Sequence, residues 1–340
     1  MPPGPDSRGL AAVLGQEGAV GTLRRALASR HVAHAYRFEG PPGVGKEMAA
    51  LALAQALVCE RPQVDTLEGC GECHGCTRVV KLTEAEPHVP LHPDVVLLQR
   101  GLYPAASIGR STDEQRDISV DQIRSLVLSR IAFPPHEGRG RVFIIREADE
   151  MSIAAANALL KTLEEPPANT HFVLLTSRGG ELLDTIRSRT QLVRFAPLSD
   201  AILKHILDHN GVTPDRADAA VAIANGSASA ALHAADEEAS KARDAFVAAV
   251  LSAIDAPDLS PAIALAKEQE KDRDELAARF AALASKLAAD ARVAVQADDP
   301  RASVLAARFD EVQRAMREVE RNASIGLVIE SLIHRLRSAV

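Results

Sequence analysis

An α/β domain built on a parallel sheet, followed by an all-helical remainder, is what the sequence predicts, and three observations predict it. The short apolar run AYRFE at residues 35–39 leads directly into a glycine-rich loop, GPPGVGK, and then into a helical pattern that lasts to Val58. Further short, β-branched runs at 94–98, 141–145 and 171–176 alternate with helical patterns, and after Pro197 no such run recurs. Strand and helix in alternation imply parallel strands covered on both faces, because each crossover lays a helix on the sheet.

The elements follow in order. Residues 35–58 read as strand, phosphate-type loop and helix. Ser119 opens a helix, with Gln122 three residues on as a capping box and Ile123, Leu126, Val127 and Ile131 on one face. Another helix runs through 154–165 and must stop at Pro166 and Pro167, since proline lacks the amide and crowds the preceding turn. The stretch 101–117 between them reads as an exposed, mobile loop. From Ser199 onward the pattern is helical. Leu276, Phe280, Leu283 and Leu287 form one apolar stripe, and Val328, Ile329, Leu332, Ile333 and Leu336 another. Core packing is the plain reading of both stripes, and a subunit contact is the alternative.

At 340 residues the chain exceeds what one core usually holds, so two or three domains are expected. Aromatics are only 3% of the chain and tryptophan is absent, so the apolar mass is Ala, Leu, Val and Ile, which favours tightly packed helices. A net charge of -7 argues against a uniformly basic coat for nucleic acid, although a local basic patch remains open. The start, MPPGPDSRGL, lacks the apolar core of a signal peptide and no later stretch is long and apolar enough to span a membrane, so a cytoplasmic protein is expected.

The loop residues Gly40, Pro41, Pro42, Gly43, Val44, Gly45 and Lys46 match a phosphate loop, in which glycines let backbone amides wrap an anion and the lysine reaches the terminal phosphates. The next position should carry a hydroxyl for magnesium, but Glu47 stands there, and a carboxylate opposes phosphate charge. The strand at 141–145 should end in a magnesium-holding aspartate and instead ends in Arg146 and Glu147. Asp149 and Glu150 lie past the strand end and are expected to open the next helix, where acids favour the dipole. Nucleotide binding is therefore a weak expectation, and hydrolysis a weaker one.

All four cysteines, Cys59, Cys70, Cys73 and Cys76, fall in a C-x10-C-x2-C-x2-C pattern. In a reducing compartment this spacing points to metal rather than disulfides, and four thiolates suit structural zinc with a closed shell. Free thiols or an iron–sulfur cluster are the alternatives.

NALLKTLEEPP at 157–167, then HFVLLTS and IRSRT, resemble the AAA+ core of bacterial clamp-loader subunits, the gamma/tau and delta-prime type. The likeness extends from Gly15-Gln-Glu to Thr190, with weaker support in Gly226-Ser and in Arg321-Asn-Ala. It implies a zinc-bearing AAA+ domain at 1–196, a small helical lid at 197–238 and a helical collar at 239–340. It also implies that Arg189, in Ser188-Arg189-Thr190, is an arginine finger reaching ATP on a neighbour, with Arg187 as the nearer competitor, and that Thr176 is a sensor, although a core-edge threonine would look the same. Gamma/tau members carry Gly-Lys-Thr, a strand ending Asp-Glu, and an arginine after the Gly-Ser; here Glu47, Arg146-Glu147 and Gly226-Ser-Ala-Ser229 stand instead. The combination resembles delta-prime, and an active gamma/tau-type ATPase is the alternative. The implied partners are gamma/tau and delta subunits in a hetero-pentameric ring, the sliding clamp and primed DNA.

Overall fold

Near-continuous apolar runs at four places in the sequence require a sheet buried on both faces, and the chain builds one. The computed structural model describes residues 9–109, 117–137, 139–268, 273–320 and 323–338. They divide between two compact units, Met1–Ile202 with Gly226–Ser229, and Leu203–Asn225 with Ala230–Val340.

The first unit opens with α1 (Glu17–Ala28), β1 (Ala35–Glu39), α2 (Lys46–Val58), α3 (His74–Val80) and β2 (Val95–Leu98). Next come α4 (Val120–Gln122), a π-helical stretch (Ile123–Leu128), α5 (Ser129–Ile131), β3 (Arg141–Ile145), α6 (Ile153–Glu164), β4 (Thr170–Thr176), α7 (Asp184–Arg187) and β5 (Gln191–Arg194). The strands form one five-stranded sheet in the order β2-β3-β4-β1-β5, and every pairing is parallel. Tyr36, Phe38, Leu97, Ile144 and Val173 face a core shared with Leu23 of α1 and Leu53 of α2. Their alternates Val96, Phe143, Ile145, Phe172 and Leu174 face a second core shared with Ile123, Val127, Leu159 and Leu163. Period-two alternation thus feeds two cores at once. Buried residues run without a break from Ala49 to Gln55 in α2, as expected of a helix enclosed on most sides.

The capping box forms: the Ser119 amide donates to Gln122 Oε1 at 2.9 Å and the Gln122 amide to Ser119 Oγ at 3.3 Å. α6 starts at a Ser152 cap, whose Oγ accepts from the Ala155 amide, and ends just ahead of the two prolines. The loop expected to be exposed is corrected in part, since Tyr103, Ala105 and Ile108 are buried and the Tyr103 hydroxyl donates to the Leu97 carbonyl at 2.8 Å. Residues 110–116 of that loop lie outside the described residues, as do Arg321 and Asn322.

Before β2, Asp94 is fully buried and accepts from the His136 and Glu137 amides at 2.8 and 2.9 Å and from Arg141 at 3.3 Å. The Arg141 guanidinium also donates to the carbonyls of Phe133 and Pro134. Removing one member strands a buried charge, so Asp94→Ala is expected to cost about 3–5 kcal/mol in thermal or denaturant unfolding. A loss below about 1 kcal/mol would show that the pair contributes no structure.

The second unit is all-helical: α8 (Asp200–His209) from Leu203 onward, α9 (Pro214–Ala224), α10 (Ala228–Ala235) from Ala230 onward, α11 (Glu237–Asp255), α12 (Ser260–Glu268), α13 (Arg273–Gln296), α14 (Arg301–Glu320) and α15 (Ile325–Ser338). Both apolar stripes are buried in one core with Phe246, Val250 and Val312, which is the core-packing reading. Arg243 is buried and closes the end of α10 by donating to the His233 and Ala234 carbonyls at 2.9 and 2.7 Å. Among the described residues, no helix is long and apolar enough to cross a membrane.

Candidate functional site

The carboxyl ends of β1, β3 and β4 lie side by side in the sheet, which is where parallel sheets place their ligand sites. They carry Gly40, Arg146 and Thr176, each immediately after or at its strand end. The loop from Gly40 enters α2 through Gly45, whose φ of 97° suits glycine. A Cβ on Gly40 would overlap the Phe195 carbonyl, so the first loop glycine is required by close backbone packing. A Cβ on Gly43 would instead meet the side-chain hydroxyls of Ser227 and Ser229, and the Ala228 amide donates to the Gly43 carbonyl at 2.9 Å. Gln16, nearly fully buried, donates to the carbonyls of Val44 and Ala196 at 3.1 and 2.7 Å, tying the loop to the exit of β5.

Lys46 folds back on this loop, and its ammonium donates to the carbonyls of Gly40 and Pro41. Burial pulls it down to about 8, against the opposing pull of the Asp149 carboxylate. Glu47, in the first turn of α2, is ion-paired with Arg146, whose guanidinium also donates to Gln99 Oε1 at 2.8 Å. The two residues that break the magnesium-binding pattern are therefore in contact with each other.

Asp149 and Glu150 do not open α6. They sit in a 3-10 turn over Ala148–Glu150, entered through Glu147 at φ 47°, and Ser152 caps the helix instead. The Asp149 side chain is turned inward: it accepts from the Thr176 hydroxyl at 2.5 Å and from Arg178 Nε at 2.9 Å. The Thr176 hydroxyl also accepts from the Arg178 amide at 3.0 Å. Asp149 and Arg178 thus join the candidate site, which the sequence alone does not show, because Asp149 lies in the turn beyond β3 rather than at the strand end. The only sequence signal was an acid close after β3 and a base close after β4.

Arg189 lies between α7 and β5, with a third of its side chain exposed. Its guanidinium pairs with Glu164 at 2.6 Å and donates to the Thr185 carbonyl at 2.9 Å. The competing Arg187 makes a local pair with the almost fully exposed Asp184. The Arg189 guanidinium is thus partly exposed and held from two sides.

The Sγ atoms of Cys59, Cys70, Cys73 and Cys76 all lie within 4.8 Å of one another. Cys59 Sγ and Cys73 Sγ stand 3.8 Å apart, close to the edge of about 3.8 Å that a tetrahedron with metal–sulfur bonds of about 2.3 Å requires. Amides of Cys70, Cys73 and Cys76 donate to sulfurs of Cys59, Cys70 and Cys73, arrangements that favour thiolate charge. Burial pushes the Cys73 thiol up, but the hydrogen bonds it accepts outweigh this and bring it to about 7. The four cysteines could hold a metal.

The model of the family described as DNA polymerase III, delta subunit, matches residues 15–199, from the start of α1 to the exit of β5. The DNA polymerase III subunit gamma/tau of Mycobacterium bovis is 37% identical over 211 residues, which are 61% of this chain and 32% of the relative. The DNA polymerase III subunit delta' of Bacillus subtilis is 34% identical over 201 residues, 57% of this chain and 52% of the relative. The delta' subunit of Escherichia coli is 37% identical over 164 residues, 48% of this chain and 42% of the relative. The matches thus span between 32% and 52% of the length of these curated relatives. Because the family model takes in more than half of the chain, from α1 through every strand of the sheet, this chain belongs to the DNA polymerase III, delta subunit family of clamp-loader proteins.

Proposed function

We propose that this chain is a delta-prime-like, cytoplasmic subunit of a DNA polymerase III clamp loader, with a disabled ATP site of its own and Arg189 acting in trans. It would sit beside gamma/tau and delta subunits in a hetero-pentameric ring and help to place the sliding clamp on primed DNA. In this reading residues 1–196 are the AAA+ domain, 197–238 the lid and 239–340 the collar. The closed set of Cys59, Cys70, Cys73 and Cys76 holds a structural zinc.

The observation that carries the reading is the ion pair between Glu47 and Arg146. A working phosphate-loop ATPase needs a hydroxyl and a carboxylate converging on magnesium at these two places. Here a carboxylate and a guanidinium stand instead and engage each other, and Thr176, the sensor position, donates its hydroxyl to Asp149. Arg189 remains accessible, and a guanidinium suits a neighbour's ATP because it stays charged and grips phosphate oxygens in a fixed fork.

A gamma/tau-type ATPase is the second reading, favoured by the retained Lys46 and by the 37% identity to a gamma/tau subunit. ATP turnover by the isolated chain separates the two. The delta-prime-like reading expects none above background and no effect of Lys46→Ala; robust turnover abolished by Lys46→Ala establishes the second reading.

A further inference from the structure

Resting on the reading of the phosphate loop as disabled, we infer that the Arg146 guanidinium, clamped by Glu47 and Gln99, takes the place of the metal ion and gives the site a built-in cation. The substitutions at 47 and 146 then form a matched exchange rather than two independent losses. A metal-dependent site sets a neutral hydroxyl at the start of the helix and an anion at the end of the strand, with a divalent cation between them. This chain moves the anion to the helix, as Glu47, and supplies the cation from the strand end, as Arg146.

Two side chains hold the guanidinium, and the backbone that carries it is fixed in the sheet. Glu47 holds it from the first turn of α2, Gln99 Oε1 accepts from it at 2.8 Å just beyond β2, and its backbone amide follows β3, donating to the Leu98 carbonyl at 2.9 Å. Among the described residues its Nε is buried without a hydrogen-bond partner, a cost that a freely placed surface arginine would avoid. Lys46 lies at the same loop with its ammonium turned onto loop carbonyls, so neither cation depends on a bound phosphate for partners. The two carboxylates that could meet magnesium from α2 and from the turn after β3 are both engaged, Glu47 by Arg146 and Asp149 by Thr176 and Arg178.

The test uses the full chain, melted in EDTA or in magnesium, each with and without ADP. The wild type is expected to show no response to magnesium. Arg146→Asp sets a second carboxylate facing Glu47, so its melting temperature falls in EDTA and recovers when magnesium alone is added. Glu47→Gln keeps the shape but frees the guanidinium, so ADP binding in EDTA tightens by roughly tenfold. Should Arg146→Asp fail to fold, Glu47→Gln decides: unchanged ADP affinity in EDTA overturns the inference. Arg146→Asp melting like the wild type with no magnesium response also overturns it, while leaving the disabled-site reading intact. A wild type that gains stability from ADP only when magnesium is present sinks the disabled-site reading itself.

Discussion

On the proposal that Cys59, Cys70, Cys73 and Cys76 hold a structural zinc, treatment with a strong chelator is expected to lower the melting temperature by about 10 °C or more. Between residues 59 and 80 the buried apolar side chains are Cys59, Cys73, Cys76 and Val79, so three of the four are proposed ligands themselves. Without metal this stretch has almost no core of its own. Structural zinc in small modules supplies on the order of 10 kcal/mol of folding free energy, far above what one buried valine offers. The module also ties into the sheet domain, through Gln55 donating to the Cys76 carbonyl at 3.0 Å and Arg139 donating to the Glu60 carbonyl at 2.7 Å. Its loss should therefore be felt in α2 as well. Cys73→Ser should reproduce the chelator effect, and metal analysis of the purified chain should return one zinc per molecule. A melting curve indifferent to both chelation and Cys73→Ser would remove the metal from the account.

In a reconstituted loader, Arg189→Ala is expected to cut ATP turnover at the site it faces by roughly 10³-fold or more, the range over which arginine fingers act. The argument is electrostatic. As the terminal phosphoryl group moves, charge shifts on its oxygens, and a guanidinium fixed beside them stabilises that shift without reorganising. Arg189→Lys should recover little, since an ammonium lacks the planar fork. The fold should not notice the change: the pair with Glu164 is half open to water and exposed pairs contribute at most about 1 kcal/mol. An unchanged melting temperature with lost turnover is thus the signature of a finger, and lost stability with unchanged turnover that of a surface brace.

Four strands and the capping box at Ser119 are legible because burial on both faces imposes short continuous apolar runs and a helix start imposes a cap. β5 was not. Its burial pattern leaves Gln191 and Arg194 exposed, so a four-residue edge strand offers only Leu192 and Val193 as an apolar signal. The π-helical winding at Ile123–Leu128 has the same apolar face as an α-helix would, so periodicity cannot separate the two. At the site, the spacing of the cysteines and the glycines of the loop could be read directly, since metal geometry and phosphate wrapping constrain local sequence. The contacts between Glu47 and Arg146 and between Asp149 and Thr176 join residues 99 and 27 positions apart, and only the sheet order brings them together. Each was visible as an oddity, a carboxylate or an arginine in the wrong place, and only the fold shows that the two oddities meet.

The most direct measurement compares Arg189→Ala with Lys46→Ala in one reconstituted loader, by clamp- and DNA-stimulated ATP turnover. A chain that has given up its own metal site but still serves the next one predicts that turnover collapses with Arg189→Ala and is unchanged with Lys46→Ala. The reverse pattern, loss with Lys46→Ala and none with Arg189→Ala, would contradict it.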